Sequence, residues 1–287
     1  MKIAITGTRG TLGQALVRQA TAAGHTLLHL NRPECDITDY AAVLRQVLDF
    51  SPHTVIHPAA YTNVDSAESN QSEAFAVNAL GTRNLALACV AAGAQMIYVS
   101  TNMVFWADER GTPFNEWDNR SPRGAYATSK YAGEIYVEHL MERFYIARVS
   151  WLYGRQGDSF VHKIVRAADA RGELSVVDDE IATPTYAEDL AAALLTLMDT
   201  GLYGWYHLVN EGECSRHEYA GEIMRLTGRA HIPIAPTKLA DYERPAPAAP
   251  YSTLKNNAGA HAGIVLRPWQ EALADYLSSI EAVGTPG

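Results

Sequence analysis

The sequence predicts an α/β fold with a doubly wound, parallel central sheet. Short apolar runs alternate with longer segments of helical spacing along the first half of the chain, and a glycine-rich turn follows the first apolar run. Strands that are joined through helices return to the sheet in parallel, because the crossover connection is right-handed. Another layered α/β fold is the alternative at this point, and the spacing of the glycines favours the doubly wound sheet.

The first half of the chain supplies the predicted sheet and the helices that cover it. Its apolar runs predict strands at residues 3–5, 26–30, 54–57, 95–99 and 145–149. Its helical patterns predict helices at residues 12–23, 40–50, 72–92 and 125–142.

The regular alternation of apolar runs with helical patterns ends at about Trp151. Further elements are predicted as helices at 160–171, 187–198 and 215–227, strands at 174–177 and 205–209, and an irregular proline-rich loop at 243–250. Ser215 is the expected N-cap of the last of these helices, with Glu218 three residues on. Because this half has too few strands for its own sheet, we expect a smaller C-terminal lobe over the carboxyl edge of the main sheet.

Composition and charge exclude several classes of protein. The chain has 287 residues, 47% of them hydrophobic and 19% charged, as in an ordinary globular protein. Its formal charge of -9 provides no basic surface for nucleic acid and disfavours anionic membranes. We see neither a signal peptide nor an apolar stretch of the roughly 20 residues that span a bilayer. Cys35, Cys89 and Cys214 lie far apart, which predicts no disulfide framework, no metal site and a cytoplasmic location.

The glycine-rich turn predicts a dinucleotide site. Gly7, Gly10 and Gly13 lie between the first strand and the first helix, with the spacing GxxGxxG. Such a turn lets the backbone approach a diphosphate closely and directs free N–H groups and the helix dipole toward it. This spacing is the form found in short-chain dehydrogenases, and a mere tight turn is the alternative. The sequence therefore predicts a Rossmann-type domain.

The residues after the second strand favour NADP as the cofactor. An acidic residue there would bind the ribose 2′-hydroxyl of NAD, whereas an arginine suits the 2′-phosphate of NADP. Here the chain reads Leu30-Asn31-Arg32, and Arg9 lies inside the glycine turn. Both arginines are suited to a phosphate, and the alternative is that both are solvated surface residues. NADPH is the predicted cofactor, and NAD stays open.

A tyrosine, a lysine and a threonine form the candidate catalytic group. Tyr126 and Lys130 lie one helical turn apart, which places a phenol and an ammonium on one face. A ketone reductase needs a proton donor for the developing alkoxide, and we expect the cation to ease proton release from Tyr126. Thr101 ends the fourth strand at the edge where ligands bind, so its hydroxyl is expected to hold the ketone oxygen. The spacing of Tyr126 and Lys130 alone would also suit a surface pair.

These motifs belong to a longer pattern that resembles the dTDP-4-dehydrorhamnose reductase family of extended short-chain dehydrogenases. The most specific segments read AAYTNVDSAE and SWLYG, and the matching stretches are 59–68, 78–82, 100–101, 104–105, 126–134, 148–154, 183–187 and 204–208. The resemblance implies an enzyme of two lobes that reduces the C4 ketone of dTDP-4-dehydrorhamnose to give dTDP-L-rhamnose. It favours a dinucleotide-binding domain over residues 1–150, joined by 185–210, and a substrate-binding lobe over 151–184 and 211–287. A homodimer stays open.

The resemblance also completes the candidate site. The cofactor residues are Gly7, Arg9, Gly10, Thr11, Leu12, Gly13, Asn31, Arg32, Asp36, Ile37, Ala59, Ala60, Tyr61, Asn78, Tyr126 and Lys130. The substrate residues are Val64, Thr101, Asn102, Met103, Tyr126, Trp151 and Arg244. The alternative for Trp151 is an aromatic that packs at the hinge between the lobes.

Two departures from the family bear on the substrate. The family continues Ser-Thr with Asp-Tyr-Val-Phe and a small acidic turn, whereas this chain has Asn102, Met103 and then Trp106. The family also carries an arginine where this chain has Ala248, and the nearest arginine is Arg244. We therefore expect a less polar, more permissive sugar pocket.

Other functions stay open beside the rhamnose reductase. They are a reductase of another nucleotide-linked deoxysugar, a non-catalytic nucleotide-binding regulatory subunit of the same fold, and an epimerase or dehydratase of the superfamily. Retention of Thr101, Tyr126 and Lys130 argues against the regulatory subunit. Asn102 and Met103 lack the added acid–base pair that a sugar dehydratase needs.

Overall fold

The computed structural model describes residues 1–108 and 111–281, so residues 282–287 of the predicted lobe lie outside the described part of the chain. The strands within those ranges are β1 (Lys2–Thr6), β2 (Thr26–Leu30), β3 (Thr54–His57), β4 (Gln95–Thr101), β5 (Phe144–Val149), β6 (Leu152–Tyr153), β7 (Leu174–Val177), β8 (Ile181–Ala182), β9 (Thr185–Tyr186), β10 (Gly204–His207), β11 (Cys214–Ser215) and β12 (Ile234–Thr237). The helices are α1 (Thr11–Ala22), α2 (Tyr40–Phe50), α3 (Val64–Ser69), α4 (Gln71–Phe75), α5 (Thr82–Ala92), α6 (Ala125–Leu140), α7 (Phe160–Arg171), α8 (Ala187–Leu197), α9 (Arg216–Leu226), α10 (Ala258–His261) and α11 (Trp269–Glu281).

The main sheet is parallel throughout and confirms the predicted fold class. Its strands lie in the order β10-β5-β4-β3-β1-β2. From β1 the chain passes to β2 on one side, and from β2 it crosses back to β3 on the other side of β1. The direction in which strands are added therefore reverses between β1 and β3. A crevice opens at the carboxyl ends of the strands at such a reversal, and ligands of doubly wound sheets bind there.

Helices cover both faces of this sheet, which explains why its strands read as continuous apolar runs. Alternate residues of β1 divide between the two cores: Ile3 and Ile5 pack with α1 and α8 on one face, and Ala4 packs with α2 and α5 on the other. All six residues of β5 are buried. A strand buried on both faces gains from apolar side chains at every position, so it shows no alternation with polar residues.

The smaller lobe has a separate core and more strands than the sequence analysis expected. Its core is rich in aromatic side chains, among them Tyr153, Tyr219, Trp269 and Tyr276. Short strands pair as β7 with β12 and β8 with β11, so the expectation of too few strands for a sheet is wrong. β7 forms as predicted at 174–177, whereas β8, β11 and β12 are too short for a recognisable period-two pattern and were not predicted. The division of the chain into two domains stays a prediction.

Most predicted elements form within one to three residues of their predicted ends, and two details differ. The helix predicted at 72–92 runs through α4 and α5 but contains a π-helical turn at Ala76–Gly81. The strand predicted at 205–209 is β10, which ends at His207. The capping box of Ser215 and Glu218 is present, and residues 243–250 form no helix or strand, as predicted.

The continuous helix Gln71–Ala92 is long and apolar enough, by composition, to cross a membrane. It packs against α2 and α6, and 56% of its most apolar window is buried inside the protein. Core helices of globular domains pass the same test of length and composition, so the helix is accounted for by its position in the core.

Candidate active site

Two adjoining cavities open at the carboxyl edge of the sheet. The glycine-turn cavity, of about 630 Å³, lies along the turn that follows β1. The tyrosine cavity, of about 540 Å³, lies beside Thr101, Tyr126 and Lys130. Both cavities are lined by Thr11, Pro58, Ala60, Thr62, Val99 and Leu152. A ligand in one cavity therefore lies against a ligand in the other.

Backbone geometry shapes the glycine-turn cavity. Gly7 has φ +58°, and a Cβ atom on Gly13 would lie 2.1 Å from the Gly7 carbonyl oxygen, so both positions require glycine. Gly10 is the N-cap of α1, and no side chain caps that helix end. The N-terminus of α1 thus presents backbone N–H groups and the positive end of the helix dipole to the cavity. These residues fit a dinucleotide diphosphate.

The predicted cofactor residues line this cavity with few exceptions. Arg9 and Arg32 are exposed at its edge, and neither guanidinium has a carboxylate within 4.0 Å among the described residues. Asn31 also lines the cavity, but its side chain is engaged by Thr8: it accepts from the Thr8 N–H at 2.8 Å and donates to the Thr8 hydroxyl at 2.6 Å. Asn31 therefore holds the glycine turn in shape.

Asn78 lines neither cavity and braces residues that do. It lies in the π-helical turn and is 1% exposed. Its side chain accepts from the Tyr61 N–H at 2.8 Å and donates to the Ser129 hydroxyl at 3.0 Å. Ser129 in turn donates to the Tyr126 carbonyl oxygen. Asn78 thus links the two cavity walls, and its predicted contact with the cofactor stays a prediction.

Thr101, Tyr126 and Lys130 come together on the floor of the tyrosine cavity. Thr101 ends β4, and its side chain contacts the Tyr126 phenol. Lys130 is 2% exposed; its ammonium donates to the Val99 carbonyl oxygen at 2.8 Å and lies 4.1 Å from the centre of the Tyr98 ring. Tyr126 is half-buried and reaches solvent through the cavity. Two proton donors and a cation thus meet where a carbonyl oxygen would bind.

The electrostatics of this group differ from the sequence expectation. Burial raises the pKa of Tyr126 to about 12, opposed by the hydrogen bond with Thr101. Burial also lowers the pKa of Lys130 to about 7, opposed by the negative charge of Glu134. Lys130 is not among the groups that shift the pKa of Tyr126, although the sequence led us to expect that it would lower this pKa. Tyr126 consequently keeps its proton at neutral pH.

A buried ion pair anchors the helix that carries Tyr126 and Lys130. Glu134 is fully buried one turn beyond Lys130, and its carboxylate pairs with Arg148 of β5 at 2.9 Å. The same carboxylate accepts from the Ser100 hydroxyl at 2.5 Å. α6 is therefore tied to the ends of β4 and β5, which sets Lys130 and Tyr126 opposite Thr101.

The predicted substrate residues all line the tyrosine cavity, although two are committed to protein partners. Asn102 donates from its amide to the Ser252 hydroxyl at 2.8 Å, and so fixes the loop that ends at Ser252. Arg244 pairs with Asp65 at 3.1 Å. Besides Thr101 and Tyr126, the other predicted residues are Val64, Met103 and Trp151, which form apolar parts of the cavity wall.

Sequence reasoning missed several residues of this cavity. The smaller lobe contributes Glu180 and Arg216, and the segment before α6 contributes Arg123. The Arg216 guanidinium stacks on the Trp151 ring at 3.4 Å from its centre, and Trp151 has φ +38°. No motif marks these positions, since they meet only when the lobe folds against the sheet. Among residues 1–108 and 111–281, no group of three or more His, Cys, Asp or Glu side chains is arranged to hold a metal ion.

The parallel sheet, the glycine turn and the Thr-Tyr-Lys group define the class of extended short-chain dehydrogenases. Within that class, the chain matches the family model described as RmlD substrate binding domain over residues 1–282. It is 40% identical to the dTDP-4-dehydrorhamnose reductase of Mycolicibacterium smegmatis, with 100% of this chain and 88% of the relative covered. The chain belongs to the dTDP-4-dehydrorhamnose reductase family.

Solved structures of this family have the same fold. A dTDP-4-dehydrorhamnose reductase from Clostridium acetobutylicum superposes with a TM-score of 0.94 at 35% identity, covering 98% of this chain and 100% of that one. The enzyme from Bacillus anthracis, solved in complex with NADP, gives a TM-score of 0.93 at 35% identity, covering 97% and 99%.

Proposed function

We propose that this chain is an NADPH-dependent reductase that converts dTDP-4-dehydrorhamnose to dTDP-L-rhamnose. The observation that carries the proposal is the meeting of Thr101, Tyr126 and Lys130 in the tyrosine cavity, which adjoins the glycine-turn cavity. A cavity for a dinucleotide and a cavity for a carbonyl compound share a wall there. The relative from M. smegmatis bears the name of this activity.

The glycine-turn cavity would hold the cofactor. Gly7, Gly10 and Gly13 would take the diphosphate, and Arg9 and Arg32 the 2′-phosphate that distinguishes NADP from NAD. Both arginines have unpaired guanidinium groups among the described residues, which supports NADPH over NADH. The bound cofactor supplies the two electrons and the hydrogen that reduce the carbonyl carbon. NADP in the family member from B. anthracis supports the same choice.

The chain's own residues bind the carbonyl oxygen and protonate it. The Thr101 hydroxyl and the Tyr126 phenol both donate hydrogen bonds to that oxygen, which polarises the carbonyl group. Negative charge then develops on the oxygen, and Tyr126 transfers its proton to it. The fraction of Lys130 that is protonated at neutral pH would oppose the charge of the resulting phenolate. Asn78 and Glu134 keep α6 in place through Ser129 and Arg148.

The setting of the enzyme follows from the same features. All three cysteines are free and buried, which supports a reducing compartment such as the cytoplasm. The net charge of -9 disfavours nucleic acid and anionic membranes as partners.

The test is NADPH oxidation with a panel of nucleotide-linked 4-ketosugars. We expect turnover with dTDP-4-dehydrorhamnose and none in the absence of a ketosugar. Tight binding of NADPH and of dTDP without turnover of any ketosugar would contradict the proposal and favour the non-catalytic regulatory subunit. Turnover of a different deoxysugar alone would correct the substrate and keep the chemistry.

A further inference from the structure

Three arginines line the tyrosine cavity within the described ranges, and two of them are already neutralised. Arg216 pairs with Glu180 at 3.2 Å, and both side chains are largely buried, 21% and 13% exposed. Arg244 pairs with Asp65 at 3.1 Å, and the same carboxylate also accepts from the Ala246 N–H. A guanidinium paired at this distance has most of its charge opposed before any ligand arrives.

Arg123 differs from both. Among the carboxylates that the structure describes, its nearest is that of Asp108 at 3.7 Å, and the two side chains are 54% and 70% exposed. Water screens such a pair almost completely. The Arg123 guanidinium lies 4.3 Å from the centre of the Trp106 ring, which holds the side chain at the cavity wall by a cation–π contact. Trp106 is itself oriented by a 2.7 Å hydrogen bond from its ring N–H to Asp108.

We propose that Arg123, positioned on Trp106, binds the diphosphate of the nucleotide-linked substrate. The inference rests on the proposed function, since it names the residue that receives the charged part of that substrate. Arg244, the arginine predicted from the sequence to contact the substrate, is the weaker candidate because it pairs with Asp65. Trp106 stands where the family carries a small acidic turn, so this chain adds an aromatic support for Arg123 beside the exposed carboxylate of Asp108.

The position of Arg123 suits this assignment. The ring carbon that bears the diphosphate lies across the sugar ring from C4, so a ketone held by Tyr126 directs the diphosphate away from the cavity floor. Arg123 comes three residues before Tyr126, and its side chain is more than half exposed at the mouth of the cavity. An arginine fork matches two phosphate oxygens at once. In a chain of net charge -9, such a local cation is needed to bind a dianion.

The experiment measures dTDP binding by calorimetry in the full-length protein and four variants. We expect Arg123→Gln to weaken dTDP binding by about 10- to 100-fold, the range for a lost charged hydrogen bond. Arg123→Lys should recover part of the loss in affinity, because lysine keeps the positive charge but cannot bind two phosphate oxygens at once as a planar guanidinium does. Asp108→Asn should change dTDP binding little, because water already screens that carboxylate from Arg123. The control is Arg225→Gln on α9, whose guanidinium is 63% exposed and lies outside the tyrosine cavity.

Thymidine in place of dTDP separates the diphosphate from the base. The proposal requires that Arg123→Gln leave thymidine binding unchanged. Wild-type affinity for dTDP in Arg123→Gln, or an equal loss for dTDP and thymidine, would overturn it. The binding assay contains no ketosugar, so its result is separate from the turnover assay: absence of turnover in the wild type contradicts the proposed function, whereas unchanged dTDP binding contradicts only the role of Arg123.

Discussion

The two cavities are built in different ways. The glycine-turn cavity is built around one contiguous segment, Gly7 to Gly13, whose backbone shape depends on Gly7 and Gly13, and segments that follow β2 and β3 complete its wall. The tyrosine cavity is formed by side chains from distant segments, such as Tyr126, Arg216 and Ser252. A contiguous backbone site leaves a motif in the sequence, whereas a site assembled from distant side chains does not. The first cavity therefore serves a shared cofactor, and the second is free to differ between relatives.

The largest effect is expected from Tyr126→Phe in the tyrosine cavity. The change removes the proton donor and keeps the ring, so turnover should fall by about 100- to 10,000-fold while NADPH affinity stays unchanged. Steady-state rates and cofactor titration measure the two quantities. Tyr136→Phe, on the same helix but outside both cavities, is the control and should leave turnover unchanged. Turnover close to that of the wild type in Tyr126→Phe would mean that another group protonates the oxygen.

Gly13→Ala should damage the other cavity through the backbone. The added Cβ atom would lie 2.1 Å from the Gly7 carbonyl oxygen and 2.7 Å from the Thr8 Cα atom. Overpacking of this kind costs about 1–3 kcal/mol, and we expect NADPH binding to be lost as the turn opens. Denaturant unfolding and cofactor titration are the measurements. Gly221→Ala in α9, where the added atom meets nothing within 4 Å, should leave both unchanged or raise stability.

Arg32→Ala should alter cofactor choice without altering the chemistry. Removal of a charged hydrogen bond to the 2′-phosphate costs about 1.5–3 kcal/mol, so NADPH should bind about 10- to 100-fold more weakly. NADH affinity should stay nearly the same, because NADH carries an uncharged hydroxyl where NADPH carries the 2′-phosphate. The measurements are the dissociation constants of NADPH and of NADH, each for the wild type and for Arg32→Ala. A wild type that binds NADPH and NADH equally would remove the basis for assigning Arg9 and Arg32 to the 2′-phosphate.

A smaller effect is expected in the pH dependence of stability. Burial lowers the pKa of Lys130 to about 7 from its ordinary value of 10.5. Between these values the unfolded chain binds more protons at this position than the folded chain, so the free energy of unfolding rises with pH. The free energy of unfolding would be measured for the wild type and Lys130→Met at about pH 7 and about pH 9. The value for the wild type should increase relative to that of the variant as pH rises. A flat or falling difference would mean that burial does not penalise the ammonium.

The same contrast explains how much could be predicted from the sequence. The strands of the main sheet, the glycine turn and the positions of Thr101, Tyr126 and Lys130 follow from local patterns, and the structure brings these residues together. The roles of Asn102 and Arg244 could not be predicted, because their partners Ser252 and Asp65 lie 150 and 179 residues away. The lowered pKa of Lys130 likewise depends on burial by the whole fold.

The most direct test of the central claim is the fate of deuterium from NADPH labelled at the reactive ring carbon. The enzyme would be incubated with labelled NADPH and dTDP-4-dehydrorhamnose, and the sugar product examined by NMR. We predict one deuterium atom at C4 of the rhamnose ring, and none in a parallel reaction with Tyr126→Phe over the same short time. Deuterium at another ring carbon, or a reduced sugar without deuterium, would contradict the reduction of the C4 ketone by this protein.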